Sequence, residues 1–88
     1  MKYKLHFSDK ATKQLKKIDK NIAIMIVKKL TLTLDNSENP RLHGKSLIGD
    51  KKGLWRYRVG NYRAICIIDD NKLVILALEI GHRKNIYE

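Results

Sequence analysis

Three arginines stand among three aromatic rings in GLWRYRVGNYRAI, residues Gly53 to Ile65. Gly60-Asn61 has the composition of a two-residue hairpin turn, and with those residues in the loop Val59 pairs with Tyr62, Arg58 with Arg63, Tyr57 with Ala64 and Arg56 with Ile65. Side-chain alternation then puts Trp55, Tyr57, Val59, Tyr62, Ala64 and Cys66 on a core face, and Arg56, Arg58 and Arg63 on the opposite one. Guanidinium groups directly opposite one another repel, at a cost on the order of a few tenths to one kcal/mol. Splaying into water, or an acid such as Glu79 between them, would relieve it; so would a phosphate that accepts paired hydrogen bonds from both. A next strand running antiparallel returns Glu79-Ile80 to the end of the sheet that holds the turn, so that GHRKNIYE emerges beside the pair. His82, Arg83 and Tyr87 thereby approach Arg58 and Arg63 from a separate segment, and all five are side-chain types used in phosphate chemistry.

The elements that must position these residues are legible from spacing. KYKLHF alternates as a short half-buried strand with Tyr3, Leu5 and Phe7 on one face. Ser8 can cap a helix carrying Ala11, Leu15 and Ile18, and Asp19 a second one in which Ile22, Met25, Ile26, Leu30 and Leu34 recur at three- and four-residue intervals. From Asp35 to Lys52 the composition is that of a long connection. Three strand-like runs follow, LWRYRV, YRAICIID and KLVILALEI, with Asp70-Asn71 able to turn the second into the third. The expected fold is α+β, in the order β-α-α-β-β-β, with a helical hairpin packed on a small, mainly antiparallel sheet. The first strand joins one edge of the meander, and the sequence does not say which.

At 88 residues the chain suits a single domain, 1–88, with one core. Its 19 Lys and Arg against 9 Asp and Glu give a net charge of +10, spread over both halves, which points to a polyanionic partner. With 43% hydrophobic residues it is not a disordered basic tail. Cys66 is the only cysteine, so no internal disulfide can form and a reducing cytoplasm fits. MKYKLHFSDK has no apolar signal-like run, and IAIMIV and LVILAL are too short to span a bilayer, so a soluble intracellular protein without a membrane partner is expected. His6 and His43 share no ligand spacing with a carboxylate or thiol, and Asp69-Asp70 reads as turn chemistry; neither a metal nor a cofactor is expected.

The segment GLWRYRVGNYRAICIIDDNKLVILALEIGHRKNIY resembles the C-terminal half of the RelE/ParE superfamily of toxins, and within it the RelE-type mRNA interferases. The R-x-R-x-G-x-Y-R pattern and the closing G-H-R…Y carry the likeness, which extends through the LHGKSLIG loop to the whole chain. The resemblance implies a β-α-α-β-β-β fold and a toxin that enters the ribosomal A site. There it would cut mRNA without metal, by attack of a ribose 2′-hydroxyl on the adjacent phosphate. It also implies an antitoxin that wraps the toxin, mRNA and ribosomal RNA as targets, and promoter DNA bound only through the antitoxin complex. By position, the family's strand cations fall on Arg56, Arg58 and Arg63, its later arginine on Arg83 and its terminal tyrosine on Tyr87, with His82 beside them.

In that chemistry Arg58 and Arg63 would clamp the charge of the phosphorane. Tyr87 would act as base if neighbouring cations lowered a hydroxyl pKa that is ordinarily about 10, or would stack on a nucleobase. His82 is of the one type here that exchanges protons near neutrality without tuning. Lys45, Lys51 and Lys52, like Lys10, Lys13, Lys16, Lys17 and Lys20 on the helices, either remain solvated or grip RNA backbone without reading its sequence. Two other classes stay open: a ParE-like toxin on the same fold that inhibits DNA gyrase by binding and cleaves nothing, and a nucleic-acid-binding module without activity.

Overall fold

The computed structural model of the chain describes residues 1–47 and 53–82. β1 (Lys4–Phe7) turns Leu5 and Phe7 to the core. Ser8 ends it and caps α1 (Asp9–Lys17). Its hydroxyl accepts from the Ala11 N–H at 3.0 Å and donates to the Leu78 carbonyl at 3.0 Å, so one side chain both starts the helix and ties it to a distant strand. The Asp19 carboxylate caps α2 (Lys20–Leu34) by accepting from the N–H groups of Asn21 and Ile22 at 3.1 and 3.3 Å. Ile22, Ile26, Leu30 and Leu34 descend α2 in four-residue steps against the sheet. Met25, expected on that face, lies beside the stripe and is 46% exposed.

The connection from Asp35 onward holds structure that its composition hides. Tyr3 N–H donates to the Ser37 carbonyl at 2.8 Å and Leu5 N–H to an Asp35 carboxylate oxygen at 3.1 Å, so this segment covers the outer edge of β1. A 3₁₀ turn (Pro40–Leu42) and a two-residue strand, β2 (Lys45–Ser46), come next. Gly44 between them takes φ +71, and a Cβ there would come within 2.1 Å of the Arg56 carbonyl oxygen, so only glycine lets the chain pass β3 at this point.

β3 (Leu54–Val59), β4 (Tyr62–Asp69) and β5 (Val74–His82) form the expected antiparallel meander. The sheet order is β1-β5-β4-β3-β2, with β1 parallel to β5 and the remaining pairs antiparallel. The β4–β5 turn differs from the two-residue Asp70-Asn71 expected. Asp69 pairs with Val74 across four residues, because the Asp69 carboxylate accepts from the N–H groups of Asn71 and Lys72 at 3.0 and 3.1 Å and widens the loop, with Leu73 at φ 55.

Both helices pack on one face of this sheet. Tyr57, Val59, Ala64, Cys66, Ile75, Ala77 and Ile80 meet Ala11, Ile26, Leu30 and Leu34 there, which makes the core face the one read from the hairpin register. Burial pushes the Cys66 thiol up to about 12, so it is an inert core group. A smaller cluster of Leu47, Leu54 and Ile65 covers part of the opposite face. No helix among the described residues is long and apolar enough to cross a membrane.

Candidate functional site

The hairpin register is the one that the sequence implies: Val59 opposes Tyr62, Arg58 opposes Arg63 and Arg56 opposes Ile65. Gly60 at φ 58 supplies the left-handed residue that so tight a turn requires. Arg58, Arg63 and Gly81 therefore form one row across β3, β4 and β5 on the helix-free face. Gly81 contributes no side chain to this row. The adjoining row on the same face runs Lys45, Arg56, Ile65, Glu79. Two like-charge pairs thus lie side by side, and β2, which the sequence does not reveal, supplies one of the four cations. Arg58 is exposed, Arg56 and Arg63 are half-buried, and the Nε atom of Arg63 is out of contact with solvent. The Glu79 carboxylate meets Lys10 Nζ of α1 at 3.0 Å.

His82 reaches the same end of the sheet but the other face. β5 carries a bulge: Ile65 opposes Glu79 while Cys66 opposes Ala77, leaving Leu78 as the extra residue. The bulge switches the parity of the strand, so that Ile80 joins Ile75 and Ala77 in the core and His82 falls opposite Tyr62. Their rings meet edge to face, with centroids 5.4 Å apart at 81°. The structure thus brings Arg58, Arg63, Arg56 and Lys45 together on one face and places His82 behind it. Arg83, Tyr87, Lys51 and Lys52 lie outside the described residues.

Side chains of the meander hold the loop that flanks this face. Trp55 Nε1 donates to the His43 carbonyl at 2.6 Å, and the buried Tyr57 hydroxyl donates to the Pro40 carbonyl at 2.9 Å. Burial raises the Tyr57 hydroxyl well above its ordinary value, so it serves as a donor and not as a base. Arg41 makes two bonds to Asp70, at 2.9 and 3.0 Å, and the Tyr3 hydroxyl donates to the same carboxylate at 2.6 Å. Arg41, and after it Tyr3, hold the Asp70 carboxyl below the usual range; bonding to Asp70 in turn raises Tyr3. Between this loop, α2 and the end of β3 lies a cleft of about 430 Å³, lined among others by Lys29, Thr33, His43 and Arg58. Among the described residues, no group of three His, Cys, Asp or Glu could share a metal ion.

Residues 5–87 match the family model of the ParE toxin of the parDE type II toxin-antitoxin system. The chain belongs to the RelE/ParE superfamily of type II toxins. It is 31% identical to Toxin RelG of Mycobacterium tuberculosis over 87 residues, covering 99% of this chain and 98% of that protein. Among solved structures, the toxin-antitoxin complex RelBE2 of Mycobacterium tuberculosis is similar, with a TM-score of 0.85 at 27% identity, covering 97% of this chain and 95% of the matched one. Free Escherichia coli toxin RelE, as a double mutant, gives 0.74 at 26% identity over 96% of this chain and 86% of that one. The α+β architecture of the toxin is the one these relatives share.

Nothing in the sequence marks Lys29 and His43 as site residues of the toxin. Lys29 looks like any lysine on a solvated helix face, and His43 like a loop residue. Only tertiary packing sets them on either side of one cleft with Arg58.

Proposed function

We propose that this toxin is a ribosome-dependent endoribonuclease that cuts mRNA in the A site without a metal. The observation that carries the reading is the row Arg58, Arg63, Gly81 on the open face, flanked by Lys45 and Arg56. Directly opposed arginines cost stability in the free protein, and a phosphodiester removes that cost by accepting hydrogen bonds from both. In the reaction the ribose 2′-oxygen forms a bond to phosphorus, the P–O5′ bond breaks, and one proton moves from the 2′-hydroxyl through a base to the departing 5′-oxygen. The products are a 2′,3′-cyclic phosphate and a 5′-hydroxyl, with no oxidant, reductant or metal needed. Arg58 and Arg63 stabilise the extra negative charge at phosphorus. Arg83 and Tyr87 complete the set by resemblance, Tyr87 as base or stacking ring, while His82 stands behind the row, on the other face of the sheet. Arg56 and Lys45, with Lys51 and Lys52, bind the RNA backbone.

The partner in this reading is a cognate antitoxin, supported by the similar Mycobacterium tuberculosis toxin having been solved as a toxin-antitoxin complex. Promoter DNA is reached only through that complex. The match to a ParE family model favours a second reading, inhibition of DNA gyrase by binding alone. Expression in cells separates the two. Breaks within translated codons are the result expected; intact mRNA together with DNA-damage signalling would overturn the nuclease and support the gyrase inhibitor.

A further inference from the structure

The cleft beside Arg58 is built differently from the open face. Residues Leu54, Arg56 and Arg58 direct their backbone groups toward β2: Leu47 N–H donates to the Leu54 carbonyl at 3.0 Å, and Lys45 opposes Arg56. The ladder ends there, with Gly44, at φ +71, the next residue back along the chain. The Arg58 N–H, one step further along the same edge, has no backbone partner among the described residues and opens toward the cleft. Lys29 enters from α2, and His43 from a loop whose position is set by Trp55 and Tyr57. Among the described residues, no carboxylate lines this space of about 430 Å³.

We propose that this cleft is a second phosphate subsite, in which Lys29, His43 and the Arg58 edge hold the neighbouring phosphodiester of the RNA that Arg58 and Arg63 grip. The proposal rests on the reading of the toxin as an RNA-cutting enzyme. Arg58 belongs to both places, so a strand clamped on the open face continues over the β3 edge into the cleft. A polynucleotide supplies a second anion in that position by its own covalent repeat. An acidic peptide would have to place a carboxylate there by sequence, and for that reason RNA is the occupant favoured. Neither Lys29 nor His43 takes part in bond making or breaking; both are binding residues.

The test is fluorescence anisotropy of a short single-stranded RNA carrying 2′-O-methyl groups, which binds but cannot be cut, with the full chain and its Lys29→Gln, His43→Gln and double variants. Each single variant should bind several-fold more weakly and the double variant about tenfold. The dependence of log affinity on log salt should become shallower by about 0.7 for the lysine alone. Unchanged melting temperatures are expected, since both side chains are exposed. Affinity equal to wild type overturns the subsite, as does an equal loss from Lys16→Gln, a lysine of α1 outside the cleft. Weakened binding of an acidic antitoxin peptide with RNA binding unaffected would also overturn it. RNA bound through the cleft but left intact on translating ribosomes would preserve the subsite and sink the nuclease reading; no measurable RNA affinity in the wild type would sink both.

Discussion

Arg58 and Arg63 face each other across a two-residue turn, and like charges directly opposite on a sheet repel. Replacing Arg58 with Gln should therefore raise stability by about a few tenths of a kcal/mol in urea unfolding, while growth inhibition on expression is lost. A variant that is both less stable and fully toxic would remove the pair from the account. A second residue-scale prediction concerns Asp70. Its carboxyl is held low by Arg41 and then Tyr3, so the stabilisation is present above the ordinary carboxylate range and is lost as pH falls through the lowered value of the folded state. Tyr3 is raised, so its share is lost at the alkaline end. The melting temperature of the wild type should fall on acidification more steeply than that of Asp70→Asn; parallel curves would show that the clasp contributes nothing. At this scale the sequence was informative where the signal was local. Gly60-Asn61 dictated the register, and the register dictated which face Arg56, Arg58 and Arg63 occupy. Asp70 carries only a turn signal in the sequence, because Arg41 and Tyr3 lie 29 and 67 positions away in the chain.

Among the elements, the two helices were legible down to their caps, since Ser8 and Asp19 act on N–H groups two or three residues ahead. The second bond of Ser8, to the Leu78 carbonyl, was not legible, because it depends on a bulge 70 positions away. Ser8→Ala removes both contacts and should cost about 1 kcal/mol for the cap plus a further increment for the unsatisfied carbonyl, read from urea unfolding. A loss below about 0.5 kcal/mol would mean that neither bond matters. The same bulge explains why His82 cannot be placed by alternation. Counted straight along β5 it falls on the arginine face; the inserted Leu78 moves it to Tyr62. β2 has no signal in the sequence for a related reason. Two residues have no periodicity, and Lys45-Ser46 becomes a strand only because Gly44 lets the chain lie beside Arg56.

At the scale of the whole molecule, helices cover one face of the sheet and leave part of the other to cations, in a chain whose net charge is +10. Composition pointed toward a polyanionic partner, and the alternation of three strands conveyed the layer order. The parallel pairing of β1 with β5 needed the assembled fold, because nothing local in KLHF distinguishes the two edges of the meander. The central claim is that the open basic row acts on RNA held by the ribosome. The most direct measurement incubates purified toxin with ribosomes carrying a defined mRNA and analyses the fragment ends, for the wild type and for Arg63→Ala. The account predicts cleavage within the A-site codon leaving a 2′,3′-cyclic phosphate and a 5′-hydroxyl with the wild type, and intact mRNA with the folded Arg63→Ala variant. Uncut mRNA with the wild type, or equal cleavage by the variant, would contradict it.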